Sequence, residues 1–195
     1  MNHSSTVHIP PSLALQISQQ APNVLRNTTP VKFLDFLISN ESSDLWFTYE
    51  GLVLTCLRTG DEKSAHTCLQ RLIDRFGADN ERVMALAGLY KEAVSRDDGE
   101  LYSILEEYDS ILVRDPTNMP VSKRRITLLM SLGRSADAIS SLIKFLDSSP
   151  NDTEAWAELS DLYVAQGMYP QAIFALEELL LVTPYAWNAS YRRHV

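Results

Sequence analysis

Apolar residues recur along most of this chain at intervals of three and four. Leu45, Tyr49, Leu52, Val53 and Cys56 fall on one side of a helix, and Ile173, Leu176, Leu179 and Leu180 do the same near the other end. Glycine and proline punctuate these segments. Gly60, Gly133 and Gly167 stand between two apolar-periodic runs, and Pro116, Pro150 and Pro184 stand where a second run must stop. In "NDTEAWAELSDLYVAQGMYPQAIFALEELLLVTP" Thr153 is placed to cap the first helix and Pro170 suits the first turn of the second. The pattern predicts an all-α chain of short amphipathic helices taken in pairs.

The pairs repeat. Gly133 and Gly167 are 34 residues apart, as are Ala138 and Ala172, Pro116 and Pro150, and Pro150 and Pro184. A 34-residue period with a W-x2-L-G-x2-Y, A-x3-F, P pattern resembles the tetratricopeptide repeat. Trp156, Leu159 and Tyr163 hold the first-helix positions, and Ala172, Leu176 and Pro184 those of the second helix and exit; Ser160 replaces the consensus glycine. Counting backward gives four repeats over 46–186, at 46–79, 80–118, 119–152 and 153–186. In the first of them Leu52, Gly60 and Ala65 take the packing and turn positions, and Gly77 stands where the others have proline. The second repeat runs over length, and a long inter-helix turn near Arg96–Glu100 is expected to absorb the excess. One hairpin cannot cover its own apolar face, so successive hairpins must stack. The expected architecture is a right-handed superhelical solenoid of antiparallel helix pairs, in which Trp156 and Tyr163 are core residues rather than a ligand-stacking platform.

Outside the repeats, residues 1–11 read as a mobile tail and 12–45 as capping helices, one over Ser12–Gln20 and one in "TPVKFLDFLISN". Residues 187–195 read as the start of a truncated further helix, leaving Trp187 without a partner hairpin.

Charge and chemistry narrow the function. The formal net charge is −8, which disfavours a nucleic-acid surface. The two cysteines, Cys56 and Cys68, read as buried thiols of a cytosolic chain with no signal peptide, and no apolar run is long enough for a direct membrane span. His3, His8, His66 and His194 are scattered, no phosphate loop or nucleophile elbow occurs, and Cys56 and Cys68 lack zinc-ligand spacing. Hence no catalytic residues, metal, cofactor or small-molecule substrate are assigned, and the chain reads as a non-enzymatic binder.

A repeat solenoid binds along its first helices. In this frame the groove presents Glu50, Leu54, Met84, Lys91, Lys123, Thr127, Met130, Asp161, Val164 and Ala165. The carboxylate clamp of many tetratricopeptide modules is disfavoured, since Glu50, Leu54 and Ala85 occupy three of its positions and only Arg124 fits. Lys123, Arg124 and Arg125 form the single basic cluster and a candidate docking patch, although a solvated helix start is the plainer reading. Arg125 sits at a position that packs inward, so either its guanidinium reaches out past a buried stem or a carboxylate meets it inside the stack.

The runs "ISQQAPNVLR", "ILEEYDSILVRDPTNMPVSKRRITLL" and "WAELSDLYVAQGMYPQAIFALEELLLVTP" together resemble the tetratricopeptide subunit 2 family of the endoplasmic-reticulum membrane protein complex. The resemblance implies a scaffold peripheral to the endoplasmic reticulum membrane on its cytoplasmic side. It further implies docking to other subunits of that complex and support for insertion of transmembrane segments, tail anchors included. The family carries no catalytic residues to transfer. A soluble co-chaperone or peptide-binding adaptor is the alternative that the repeats alone allow.

Overall fold

A computed structural model describes residues 10–27 and 42–185. The "TPVKFLDFLISN" segment, Trp187, and His3, His8 and His194 lie outside the described residues. Those described form nine α-helices and no strand, in two compact units that divide after Glu100.

The first unit holds α1 (Pro11–Asn27), α2 (Ser42–Thr59), α3 (Glu62–Phe76) and α4 (Glu81–Val94). Here α1 is longer than the expected Ser12–Gln20 helix and continues through Pro22. The buried stripe of α2 is Trp46, Tyr49, Leu52, Val53 and Cys56. It meets Ala65, Cys68, Leu69 and Leu72 of α3, Val83 and Leu86 of α4, and Ala21 of α1 in one continuous core. Each fully buried Leu or Val in such a core stabilises by about 1.5–3 kcal/mol.

The second unit holds α5 (Asp98–Arg114, which starts just before the division), α6 (Met119–Ser131), α7 (Ser135–Ser148), α8 (Thr153–Ala165) and α9 (Tyr169–Val182). Its buried residues include Tyr108 of α5, Ile126 and Leu129 of α6, Ala138 and Leu142 of α7, Leu159 and Tyr163 of α8, and Ala172, Leu176 and Leu179 of α9. The α9 stripe departs from expectation at one place: Ile173 is 42% exposed, and Ala172 and Ala175 take the inward positions beside Leu176. Small residues there let α9 lie close to α8.

Three hairpins turn in the same way, and the sequence explains why. Gly60, Gly133 and Gly167 have φ of 76°, 71° and 71°, a region that side chains disfavour. The residue after each glycine donates its N–H back five residues, Asp61 to Cys56 O, Arg134 to Leu129 O and Met168 to Tyr163 O, at 2.8–2.9 Å. This six-to-one bond, made past a left-handed glycine, is the Schellman ending. In the last two hairpins the same residue, Arg134 or Met168, is also the N-cap of the next helix, and neither side chain caps it.

The starts of the first helices are capped by short polar side chains. Asn80 accepts from Arg82 N and Val83 N, Asn118 from Val121 N, and Asp152 from Ala155 N. Thus Asp152 performs the role expected of Thr153. Both residue types cap well, so one position of register decides between them.

The long second repeat also resolves differently from expectation. Only residues 95–97 separate α4 from α5, the same three-residue spacing as in the two later hairpins. Asp97 accepts from Glu100 N, and the Glu100 carboxylate accepts from Arg96 N, a reciprocal pair close to a capping box. From the start of α4 to that of α6 is 38 residues, against 34 from α6 to α8. The difference lies in the helices, with α4 at 14 residues against 13 in α6, and α5 at 17 against 14 in α7.

Candidate interaction surfaces

In the first unit the expected groove residues are unequally exposed. Glu50 accepts the Trp46 indole N–H at 2.6 Å and the Arg82 guanidinium at 2.8 Å on one oxygen, so its charge is engaged within the chain. The Arg82 guanidinium also lies 4.3 Å from the centroid of the Trp46 ring. Leu54 is 39% exposed, Met84 is half-buried and Lys91 is exposed. The Trp46 ring meets Phe76 edge-on at 5.1 Å, and Arg71 donates to the Tyr49 hydroxyl at 2.8 Å. Aromatic and arginine side chains of α2, α3 and α4 thereby tie the three helices together.

In the second unit the basic cluster divides. Lys123 on α6 reaches the start of α8, with its Nζ 2.7 Å from Asp152 Oδ2 and 3.0 Å from Glu154 Oε2. Since Asp152 Oδ1 caps Ala155 N, a single carboxylate both starts α8 and holds α6 to it. Burial alone would push the Lys123 ammonium down, but its bonds to Asp152 and Glu154 outweigh that and its pKa stands raised. Glu158, one turn further on, is also raised, because burial and the neighbouring Glu154 charge disfavour its ionised form more than Lys123 favours it.

Arg125 turns the other way. Its Nε donates to Asp109 of α5 at 2.5 Å and its Nη1 to Ser141 Oγ of α7 at 2.8 Å. A carboxylate meets it, as one of the two sequence readings required. Arg124 is half-buried, Thr127 and Asp161 are exposed, Met130 is half-buried, and Val164 and Ala165 are exposed. Consecutive cations that serve different neighbours cannot be recognised from sequence, because their partners lie 16 and 31 residues away.

Trp156 has a surface role that the repeat pattern does not announce. Its ring packs against the Leu176 and Leu179 cluster, and its Nε1 donates to Pro150 O at 2.9 Å, joining two repeat-signature positions. Trp156 also lines an open groove of about 890 Å³ between α7 and α9, floored by α8. Tyr163 and Leu159 form the rest of that floor and are buried.

Cys56 and Cys68 are buried and unbonded to one another, and burial pushes their thiols up to about 11 and about 12. Among the described residues no group of three or more His, Cys, Asp or Glu could hold a metal ion. No described helix is long and apolar enough to cross a membrane.

Residues 86–191, more than half of the chain, match the EMC2 TPR-like repeat domain. The chain belongs to this family. Within it, ER membrane protein complex subunit 2 of Xenopus tropicalis is 40% identical over 147 residues, 75% of this chain and 48% of that protein. TPR repeat protein oca3 of Schizosaccharomyces pombe is 37% identical over 142 residues, 73% of this chain and 49% of that protein. The chain spans about half the length of the curated relatives it matches. Among solved structures, a thermophilic TPR protein of Thermus thermophilus, TTC0263, aligns over 95% of this chain and 97% of its own, with a TM-score of 0.57 and 18% identity. YrrB, described as a TPR protein with an unusual peptide-binding site, aligns over 94% of this chain and 90% of its own with a TM-score of 0.55 and 15% identity. These two likenesses concern the tetratricopeptide fold.

Proposed function

We propose that this chain is a non-enzymatic scaffold subunit of the endoplasmic reticulum membrane protein complex. On this reading it is peripheral to the membrane on the cytoplasmic side, docks other subunits and supports insertion of transmembrane segments, tail-anchored proteins included. The observation that carries the reading is the family match over residues 86–191, joined to relatives whose names place them in that complex. The four repeats at 46–79, 80–118, 119–152 and 153–186 would supply the docking surface and residues 12–45 would cap it.

A scaffold works by rigid presentation of surface, so its affinity comes from a few anchoring side chains rather than from reactive groups. First-helix residues that are exposed or half-buried, Leu54, Met84, Lys91, Thr127, Met130, Asp161, Val164 and Ala165, are the proposed contacts. Affinity-tagged chain, expressed in cells and recovered after mild detergent extraction, should bring endoplasmic reticulum membrane proteins with it. Recovery only as a free monomer would sink the proposal.

A further inference from the structure

We propose that the groove between α7 and α9 is a separate docking surface, which takes a short apolar peptide segment of another protein carrying lysine or arginine. It lies apart from the first-helix residues above, and it does not depend on membership of the complex.

The groove is largely apolar, and the Trp156 ring on its floor is held in place. The indole N–H of Trp156 is committed to Pro150 O at 2.9 Å, so the ring offers only its apolar surface to the groove. Phe174 of α9 stands edge-on to it at 6.2 Å and 79°, and remains 55% exposed. On the opposite wall Ile143 of α7 is 44% exposed. Aromatic side chains fixed on helices lose little freedom when a partner arrives, and this makes them efficient anchors. A volume of about 890 Å³ accommodates several side chains at once.

Charge selects the occupant. Each wall carries one carboxylate, Asp147 on α7 and Glu178 on α9, and among the described residues the lining has no lysine or arginine. Asp147 is exposed and Glu178 half-buried, and neither side-chain carboxylate makes a hydrogen bond or ion pair with another described residue. An anionic peptide would bring like charge to both walls. A Lys or Arg can instead lay its aliphatic stem on the apolar floor and extend its cation to the rim.

The probes are a fluorescein-labelled peptide of Leu, Phe and Lys and its counterpart with every Lys replaced by Glu, each titrated into the full chain by fluorescence anisotropy. Saturable binding of the Lys peptide, at least about tenfold tighter than the Glu peptide, is expected. The Asp147→Lys, Glu178→Lys double variant should invert that preference, and Phe174→Ala should weaken binding by about tenfold. Asp79→Lys with Glu106→Lys changes the net charge equally at exposed positions outside the groove, and should leave affinity within about twofold. Equal binding of both peptides, or equal loss in the two charge-reversed variants, overturns the proposal. On the unaltered chain, the Trp156 indole N–H resonance should shift on titration. Shifts at Thr127 and Asp161 in its place would move the site elsewhere and equally overturn it.

Discussion

At Gly133 the backbone stands at φ 71°, and a Cβ built there would meet nothing within 4 Å. The cost of a side chain at this position is therefore conformational alone. Gly133→Ala should destabilise the chain by roughly 1–2 kcal/mol, the usual strain of an L-residue in the left-handed region, and Gly133→Asn by less. Denaturant unfolding monitored by circular dichroism measures both. Ser160 predicts the reverse sign. It is 1% exposed and its hydroxyl has no hydrogen-bond partner among the described residues, so its desolvation is not offset. Ser160→Ala should raise stability by about 1 kcal/mol, and a lower unfolding midpoint would show that the hydroxyl is satisfied in solution. Both sites were legible in the sequence, Gly133 as a repeated turn glycine and Ser160 as the residue in place of a consensus glycine. What sequence withholds is whether a small polar side chain in a close-packed position finds a partner.

At the scale of elements, the period gave the hairpins because glycine turns and buried alanines are local requirements that recur with the repeat. It did not give the cap of α8, because Asp152 and Thr153 are adjacent and chemically equivalent for that purpose. Nor did it give the exposure of Ile173 and Phe174 or the partial exposure of Trp156, since helical spacing says which residues share a side but not how much of that side a neighbour covers. The Lys123 contact is likewise a property of two helices at once. It joins α6 to the α8 start, where Asp152, Glu154 and Glu158 gather negative charge. The raised Glu158 pKa has a definite sign. The folded chain holds this proton more tightly than the unfolded one, so Glu158 favours the fold at low pH and loses that contribution as pH rises through its folded pKa. Glu158→Gln should accordingly be more stable than the parent at pH 7, with the gap closing as pH falls to about 4. Thermal melts across that range provide the check, and a gap that widened toward acid would contradict the assignment.

For the molecule as a whole, 17 lysines and arginines stand against 25 aspartates and glutamates. Several of the cations are already paired within the chain, among them Arg82 with Glu50, Lys123 with Asp152, Arg125 with Asp109 and Arg134 with Asp137. The chain should pass through a heparin column unretained at about 0.15 M salt, where screened polyanion contacts need a clustered cationic surface. Retention would reveal a basic face. The extra length within α4 and α5 also bears on how such a chain tolerates change. The four added residues are divided, one in α4 and three in α5, and the three in α5 come within about 60° of a full turn of 3.6. A gain or loss counted in whole turns leaves each apolar side aimed at its neighbour, whereas two residues would swing it toward water. The three residues of α5 approach such a step, and the helices, more than the tight glycine corners, are where this chain carries its extra length.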